Sequence, residues 1–173
     1  MLPLLLHILL SSVIIGGSTA ARGSPAGAAP AAAATVGTGT PVFIPGTFGA
    51  RTYRIPALAR TPGGTLIAVA EARTGGDCDK KWLVTRRSLD NGTTWLPQED
   101  VWGRDLPDSL FASNPTIGFH PATGAVVLTF ISASAAQCSP GIDSWVAVDG
   151  GSAGARWGAP VNISAALGAW RGA

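Results

Sequence analysis

The chain has 173 residues, and its 12 lysines and arginines against 10 acidic residues leave a net charge of +2 with no basic run. That balance excludes the electrostatic footprint expected of a nucleic-acid binder or of a protein held on an acidic membrane surface. Two cysteines and two histidines, at no metal-ligand spacing, exclude a metal centre built from them, and no cofactor is expected.

From Leu2 to Ile15 the chain is an almost unbroken apolar run, interrupted by Pro3, His7 and two serines. The run is shorter than the ~18 residues that make a membrane span. Gly16-Gly17-Ser18-Thr19-Ala20 follows it, a small-residue stretch of the kind signal peptidase cuts, so residues 1–20 read as a signal peptide, with a membrane anchor as the alternative. This implies the secretory pathway and a lysosomal or extracellular destination, with no stable membrane span. Residues 21–40 are Ala, Gly, Pro, Ser and Thr with Arg22 and Val36; such a composition buries too little surface to offset ordering entropy and reads as a disordered linker. Residues 41–173 remain for one small domain. Cys78 and Cys138 would meet an oxidising lumen, and sequence leaves open whether they are joined. Asn91-Gly92-Thr93 and Asn162-Ile163-Ser164 are glycosylation acceptors that agree with this traffic.

The folded part consists of short strand signals separated by Gly and Pro turns, with no sustained period near 3.6, and so reads as all-β. It also repeats. Ala57 to Ala70 and Thr116 to Thr129 each give a strand, a Pro-containing turn closed by glycine, and an apolar strand. Trp82-Leu83-Val84-Thr85 and Trp95-Leu96-Pro97 are matched by Trp145-Val146-Ala147-Val148 and Trp157-Gly158-Ala159-Pro160, at offsets of 60 to 63 residues. Two copies of a four-strand unit predict two successive blades of a β-propeller, with a β-sandwich of about eight strands as the structural alternative. Two blades do not close a ring, so apolar blade surface should be exposed unless more sequence follows.

Ser88-Leu89-Asp90-Asn91-Gly92-Thr93-Thr94-Trp95 fits the Asp-box pattern. Physically this is a hairpin device: Asp90 accepts from backbone amides of the turn, Gly92 takes positive φ, and Trp95 buries its ring between strands while its indole N–H finds a partner, with Ser88 and Thr94 completing the pattern as structural residues. A degenerate copy runs from Asp149 through Gly154 to Trp157. Upstream, Tyr53-Arg54-Ile55-Pro56 resembles the Arg-Ile-Pro motif that opens the catalytic domain of sialidases. Ala70-Glu71-Ala72-Arg73 and Lys81-Trp82-Leu83-Val84-Thr85-Arg86-Arg87-Ser88 follow at matching spacings, most like the lysosomal animal sialidases. The resemblance covers residues 50 to 165.

It implies a six-bladed sialidase propeller, of which this chain carries about the first two blades, and hydrolysis of terminal sialic acid from glycoproteins, glycolipids and oligosaccharides. Sialic acid carries a carboxylate on its anomeric carbon, and guanidinium groups grip carboxylates with paired, charge-assisted hydrogen bonds. By resemblance Arg54 is the first of three such arginines, the other two being expected beyond residue 173. Arg73 is a pocket arginine, with an ion pair to Glu71 or an inter-blade acid as the structural alternative. The general acid is an aspartate of the following loop. Counting back from Arg86 selects Asp77 and counting forward from Arg73 suits Asp79, and Asp77 is taken here. Asn114 stands where related enzymes often have an acid that contacts the N-acyl group. The resemblance further implies a tyrosine nucleophile with a glutamate partner. Tyr53 belongs to the Arg-Ile-Pro segment and is not assigned that role, and His120 sits in a hairpin turn. The chain by itself is therefore expected not to hydrolyse sialosides. The competing class is a non-catalytic Asp-box propeller that binds glycans or proteins.

Overall fold

The computed structural model describes residues 39–107, 110–134 and 143–168. The signal-peptide and most of the linker reading, and Cys138, lie outside them. Eight strands follow in order: β1 (Thr52–Arg60), β2 (Leu66–Arg73), β3 (Lys81–Ser88), β4 (Glu99–Trp102), β5 (Leu110–Phe119), β6 (Val126–Ser134), β7 (Asp143–Val148) and β8 (Val161–Asn162). They form two four-stranded antiparallel sheets, β1-β2-β3-β4 and β5-β6-β7-β8, each strand pairing with its neighbour in sequence. Two consecutive meanders are blades; the crossing connections of a sandwich are absent from the described residues.

The tight turns within the blades follow from local chemistry. Between β1 and β2, Gly64 takes φ +91° and its N–H donates to the Thr61 carbonyl at 2.9 Å. Between β3 and β4, Ser88 Oγ accepts from the Gly92 N–H at 2.8 Å, while Asp90 accepts from the Thr94 N–H at 2.8 Å and from Thr94 Oγ1 at 2.6 Å. Trp95 is half-buried and its carbonyl accepts from Arg86 at 2.8 Å, so the residues after the Asp box are fixed by the β3 arginine and β4 begins only at Glu99. In the second blade Asp149 directly follows β7 and is buried. Its carboxylate accepts from the N–H groups of Val126 (2.7 Å), Gly151 (2.9 Å) and Gly154 (2.7 Å), so here the acid is drawn inward to tie the turn to β6.

The blades pack face to face. Ile67, Val69 and Leu83 of the first blade meet Val126, Leu128, Phe130 and Ala147 of the second, all buried. Burying each such large aliphatic or aromatic side chain contributes about 1.5–3 kcal/mol. Trp102 closes the seam at the outer end, its ring centroid 5.1 Å from Phe130 and 5.2 Å from Trp145. The opposite face of the first blade carries Ala70, Ala72, Trp82 and Val84, covered by the segment before β1, where Phe43 stacks on Tyr53 at 5.3 Å and Arg86 donates to the Val42 carbonyl at 2.7 Å. Apolar surface stays exposed at Leu58, Phe119 and Val161.

Candidate functional site

The site lies at one end of the sheets, where β1 begins, β2 ends and β5 begins, and two bulges shape it. Pairing of β1 with β2 slips between Arg54 and Ala57, and pairing of β5 with β6 slips between Ser113 and Thr116. Both slips hold the same device: a residue with positive φ, Ile55 at +51° or Asn114 at +53°, followed by a proline. Proline cannot donate to the ladder, and a bulge re-aims the neighbouring side chain. Positive φ at a β-branched residue is strained, by about 1–3 kcal/mol. The result at β1 is that Arg54 turns outward, its side chain 53% exposed.

Arg73, the last residue of β2, is buried, and Glu71 two residues earlier on the same face is buried completely. Glu71 accepts at one oxygen from Arg73 Nε at 2.7 Å and from Arg73 Nη2, and at the other from Ser113 Oγ and the Asn114 N–H, both at 2.7 Å. One carboxylate thus fixes the guanidinium of the first blade and the bulge of the second. Asp77 in the β2–β3 loop, 65% exposed, accepts from Arg54 Nη1 at 2.9 Å and from Arg73 Nη1. Arg54, Arg73 and Asp77 are brought together, and the ion pair between Arg73 and Glu71 is present as well.

Asp79 turns the other way, accepting from the Gly76 N–H at 2.6 Å. Asn114 is exposed, its backbone bound to Glu71 and its side chain making no hydrogen bond among the described residues. Tyr53 stacks on Phe43 and donates its hydroxyl to the Thr47 carbonyl at 3.0 Å, which occupies it structurally. His120 pairs through Nδ1 with Thr123 Oγ1 at 3.1 Å in its turn. Asn91 and Asn162 are both exposed; Asn91 has φ +58° in the Asp-box turn, and Asn162 Oδ1 accepts from the Ser164 N–H at 2.9 Å.

Two groups were not legible as site residues from sequence. Glu71 was visible as a partner for Arg73, but its bonds to β5 depend on how the blades pack. Ser113 could have been found through the repeat, because aligning Ala57 with Thr116 sets Ser113 against Arg54 and Asn114-Pro115 against Ile55-Pro56. Lys81 is also buried at this end of the blade, with its ammonium 4.4 Å from the centre of the Phe111 ring.

The electrostatics follow from these contacts. The hydrogen bond from Arg73, then the nearby charges of Arg54 and Arg73, hold Asp77 below the ordinary carboxylate range. Burial alone would lower the pKa of Arg73, but its bonds to Asp77 and Glu71 outweigh burial and raise it. Burial pushes Lys81 down against the opposing pull of Glu71. At neutral pH the end of the blade is therefore a carboxylate clasped by two guanidiniums. An arrangement of that kind accepts an anion from solution wherever the internal carboxylate can yield its place.

No protein-family model matches the chain. Among solved structures it is similar to the Hadza microbial sialidase Hz136, with 20% identity and a TM-score of 0.58 over 68% of this chain and 27% of that one. It is also similar to the Trypanosoma rangeli sialidase in complex with sialic acid, with 16% identity and a TM-score of 0.55 over 68% of this chain and 21% of that one. A mutant of the Trypanosoma rangeli sialidase that displays trans-sialidase activity gives 16% identity and a TM-score of 0.51 over 67% and 21%. The chain thus spans about a quarter of the length of the sialidases it matches, and its two sheets have the fold of adjacent blades of a sialidase β-propeller.

Proposed function

We propose that this chain is the anion-holding portion of an exo-α-sialidase of the lysosomal animal type, acting on terminal sialic acid of glycoproteins, glycolipids and oligosaccharides. The observation that carries the reading is the exposed Asp77 carboxylate between Arg54 and Arg73, in a fold shared with sialidases. In this reading the sugar's carboxylate takes the Arg54 guanidinium that Asp77 holds in the free site, and Arg73 orients Asp77. Asn114, exposed beside the bulge, faces the N-acyl group.

The exchange supplies the chemistry. A general acid has to carry a proton, whereas two arginines keep Asp77 ionised. When a ligand carboxylate replaces Asp77 on Arg54, Asp77 loses one stabilising cation and gains a neighbouring negative charge. Both changes raise its pKa, so substrate binding itself would load the proton that is then handed to the leaving oxygen. The tyrosine and glutamate that the reaction also requires are assigned to no residue here, and the chain alone should not turn over a fluorogenic sialoside.

The test is binding. Sialic acid should perturb the Arg54 and Arg73 side-chain NMR signals of the chain, and its methyl ester, which lacks the charge, should not. Replacing Arg54 by methionine should weaken the acid's binding about tenfold or more, the loss expected of one charge-assisted contact. Equal binding of acid and ester would remove the anion-holding role, and an Asp77 that stays ionised with the acid bound would favour a binding-only propeller over a hydrolase.

A further inference from the structure

At the site end of the first blade three neighbouring strands each contribute a cation: Arg54 on β1, Arg73 on β2 and Lys81 on β3. Arg73 and Lys81 stand directly opposite each other in the β2–β3 ladder and both are buried, Lys81 being only 5% exposed. Like charges so placed destabilise a sheet, and a buried charge ordinarily has a partner. Arg73 has two, Glu71 and Asp77. Among the described residues the Lys81 ammonium makes no hydrogen bond and no ion pair, and its close contact is the Phe111 ring at 4.4 Å. The carboxylates at this end are committed elsewhere. Glu71 gives one oxygen to Arg73 and the other to Ser113 and the Asn114 N–H, while one Asp77 oxygen serves both Arg54 and Arg73.

An ammonium carries three N–H donors, so a ring on one side leaves donors without an oxygen. Nor is the nitrogen sealed: among the described residues the fully enclosed side-chain nitrogen or oxygen that lacks a partner is the Trp157 indole N–H, so Lys81 Nζ keeps an opening to solvent. The charge is unbalanced as well. Arg54, Arg73 and Lys81 act on one another and on Glu71 and Asp77, three positive charges against two negative, which leaves one positive charge over. Asp79 and Lys80 of the adjoining loop add one charge of each sign. Burial holds the Lys81 pKa below its ordinary value against the pull of Glu71, the direction expected of an ammonium with no carboxylate bonded to it.

We propose that Lys81 is a binding residue for a carboxylate-bearing ligand, its ammonium supplying a cationic contact inward of Arg54 that balances the charge at this end of the blade. A cation–π contact offsets only part of the desolvation cost of burying an ammonium. An oxyanion offsets the rest through charge-assisted hydrogen bonds; the described residues do not provide one, and a ligand can. The contact is additional to the one proposed for Arg54 and does not require that the ligand be sialic acid, since acetate presents the same group.

The ammonium NMR signal of Lys81 in the whole chain is the readout, at constant ionic strength. Acetate should shift it along a saturable curve, and methyl acetate, which lacks the charge, should leave it in place. In Lys81→Met the acetate-dependent shift of the Phe111 ring signals should be lost, while the urea midpoint stays level or rises because an unpaired buried charge has gone. Sialic acid identifies the source of the carboxylate. Saturation of Lys81 at about tenfold lower concentration than acetate assigns the subsite to an acidic sugar, and saturation at equal concentration assigns it to a free small carboxylate; Lys81 is a carboxylate contact in both cases.

A Lys81 signal that ignores acetate, or drifts with concentration without saturating, overturns the proposal. So does a Lys81→Met chain with a lower urea midpoint and an unchanged response of Phe111 to acetate, because Lys81 would then be a strut against the ring. If Lys81→Met does not fold, Phe111→Leu decides: with the ring gone and the ammonium in place, acetate should still saturate the Lys81 signal, and failure to do so is equally fatal. The sialidase reading fails separately, if sialic acid and its methyl ester bind alike at Arg54, whatever acetate does at Lys81.

Discussion

Asp77 and Asp90 are both exposed carboxylates held below their ordinary pKa, for reasons that separate chemistry from architecture. For Asp90 the causes are neutral hydrogen bonds, from the Thr94 hydroxyl first and then from the Thr94 N–H and the Ser88 hydroxyl, and they bring it to about 2. A carboxyl whose folded pKa lies below its unfolded value near ~3.9 adds stability that is complete above ~3.9 and disappears as the pH falls through the folded value of about 2. Asp90→Asn should therefore be less stable than the parent in urea at pH 5 to 7, and the gap between the two midpoints should close as the pH is lowered toward 2. A gap that is constant with pH would show that shape rather than charge makes the Asp box. Asp77 depends instead on guanidiniums that a ligand can take, so its titration should respond to ligand where that of Asp90 does not. Arg54, Arg73 and Asp77 were named from the sequence by the resemblance of their segments to sialidase motifs, and the structure brings the three side chains together. Glu71 could not be read as the hub, because a carboxylate between two blades is recognisable only once the blades are packed and Ser113 and Asn114 arrive beside it.

Among the elements, the repeat made the two meanders legible and left their edges wrong. The repeat as aligned in the sequence starts at Ala57, whereas β1 runs from Thr52 and absorbs Ile55-Pro56 as a bulge. Periodicity has no signal for a residue of positive φ inside a strand. The fourth strands start at Glu99 and Val161, beyond the repeated tryptophans, and in the first blade Arg86 holds the Trp95 and Leu96 carbonyls away from the ladder. The turn after β7 shows how the elements constrain one another. Gly154 has φ +76°, and a β-carbon there would lie 2.7 Å from Cδ1 and 3.2 Å from Cγ1 and Cγ2 of Ile67 in the other blade. Gly154→Ala should destabilise the chain by about 1–3 kcal/mol, combining backbone strain with overpacking. Ile67→Val, which removes Cδ1, should recover part of that loss, so the double variant should be more stable than the sum of the two single effects. Simple additivity in urea unfolding would mean that the turn does not press on the first blade.

At the scale of the molecule the two blades are unequal partners in one core. The first blade buries both of its faces, one against the second blade and one under the segment that carries Phe43 and Ala50. The second blade buries chiefly the face bearing Val126, Leu128 and Phe130; Val127, Thr129 and Ile131, which alternate with them in β6, remain partly or fully exposed, and on that side only the start of β5 is covered among the described residues, where Phe111 is buried under Lys81 of the first blade. A sheet with one covered face depends on that cover for nearly all of its apolar burial, so the second blade should not hold without the first, whereas the first retains a cluster of its own. Leu128→Ala, at a fully buried position of the shared core, should cost about 2–5 kcal/mol. The loss should be uneven: amide exchange should accelerate more in β6 and β7 than in β2 and β3, because opening the seam leaves β6 and β7 uncovered while Trp82 and Val84 stay beneath their segment. Leu83→Ala on the other side of the seam should give the same order of opening, since it weakens the same contact. Exchange that rises equally in all four strands, or first in β2 and β3, would mean that the N-terminal cover contributes nothing and that the blades share one indivisible core.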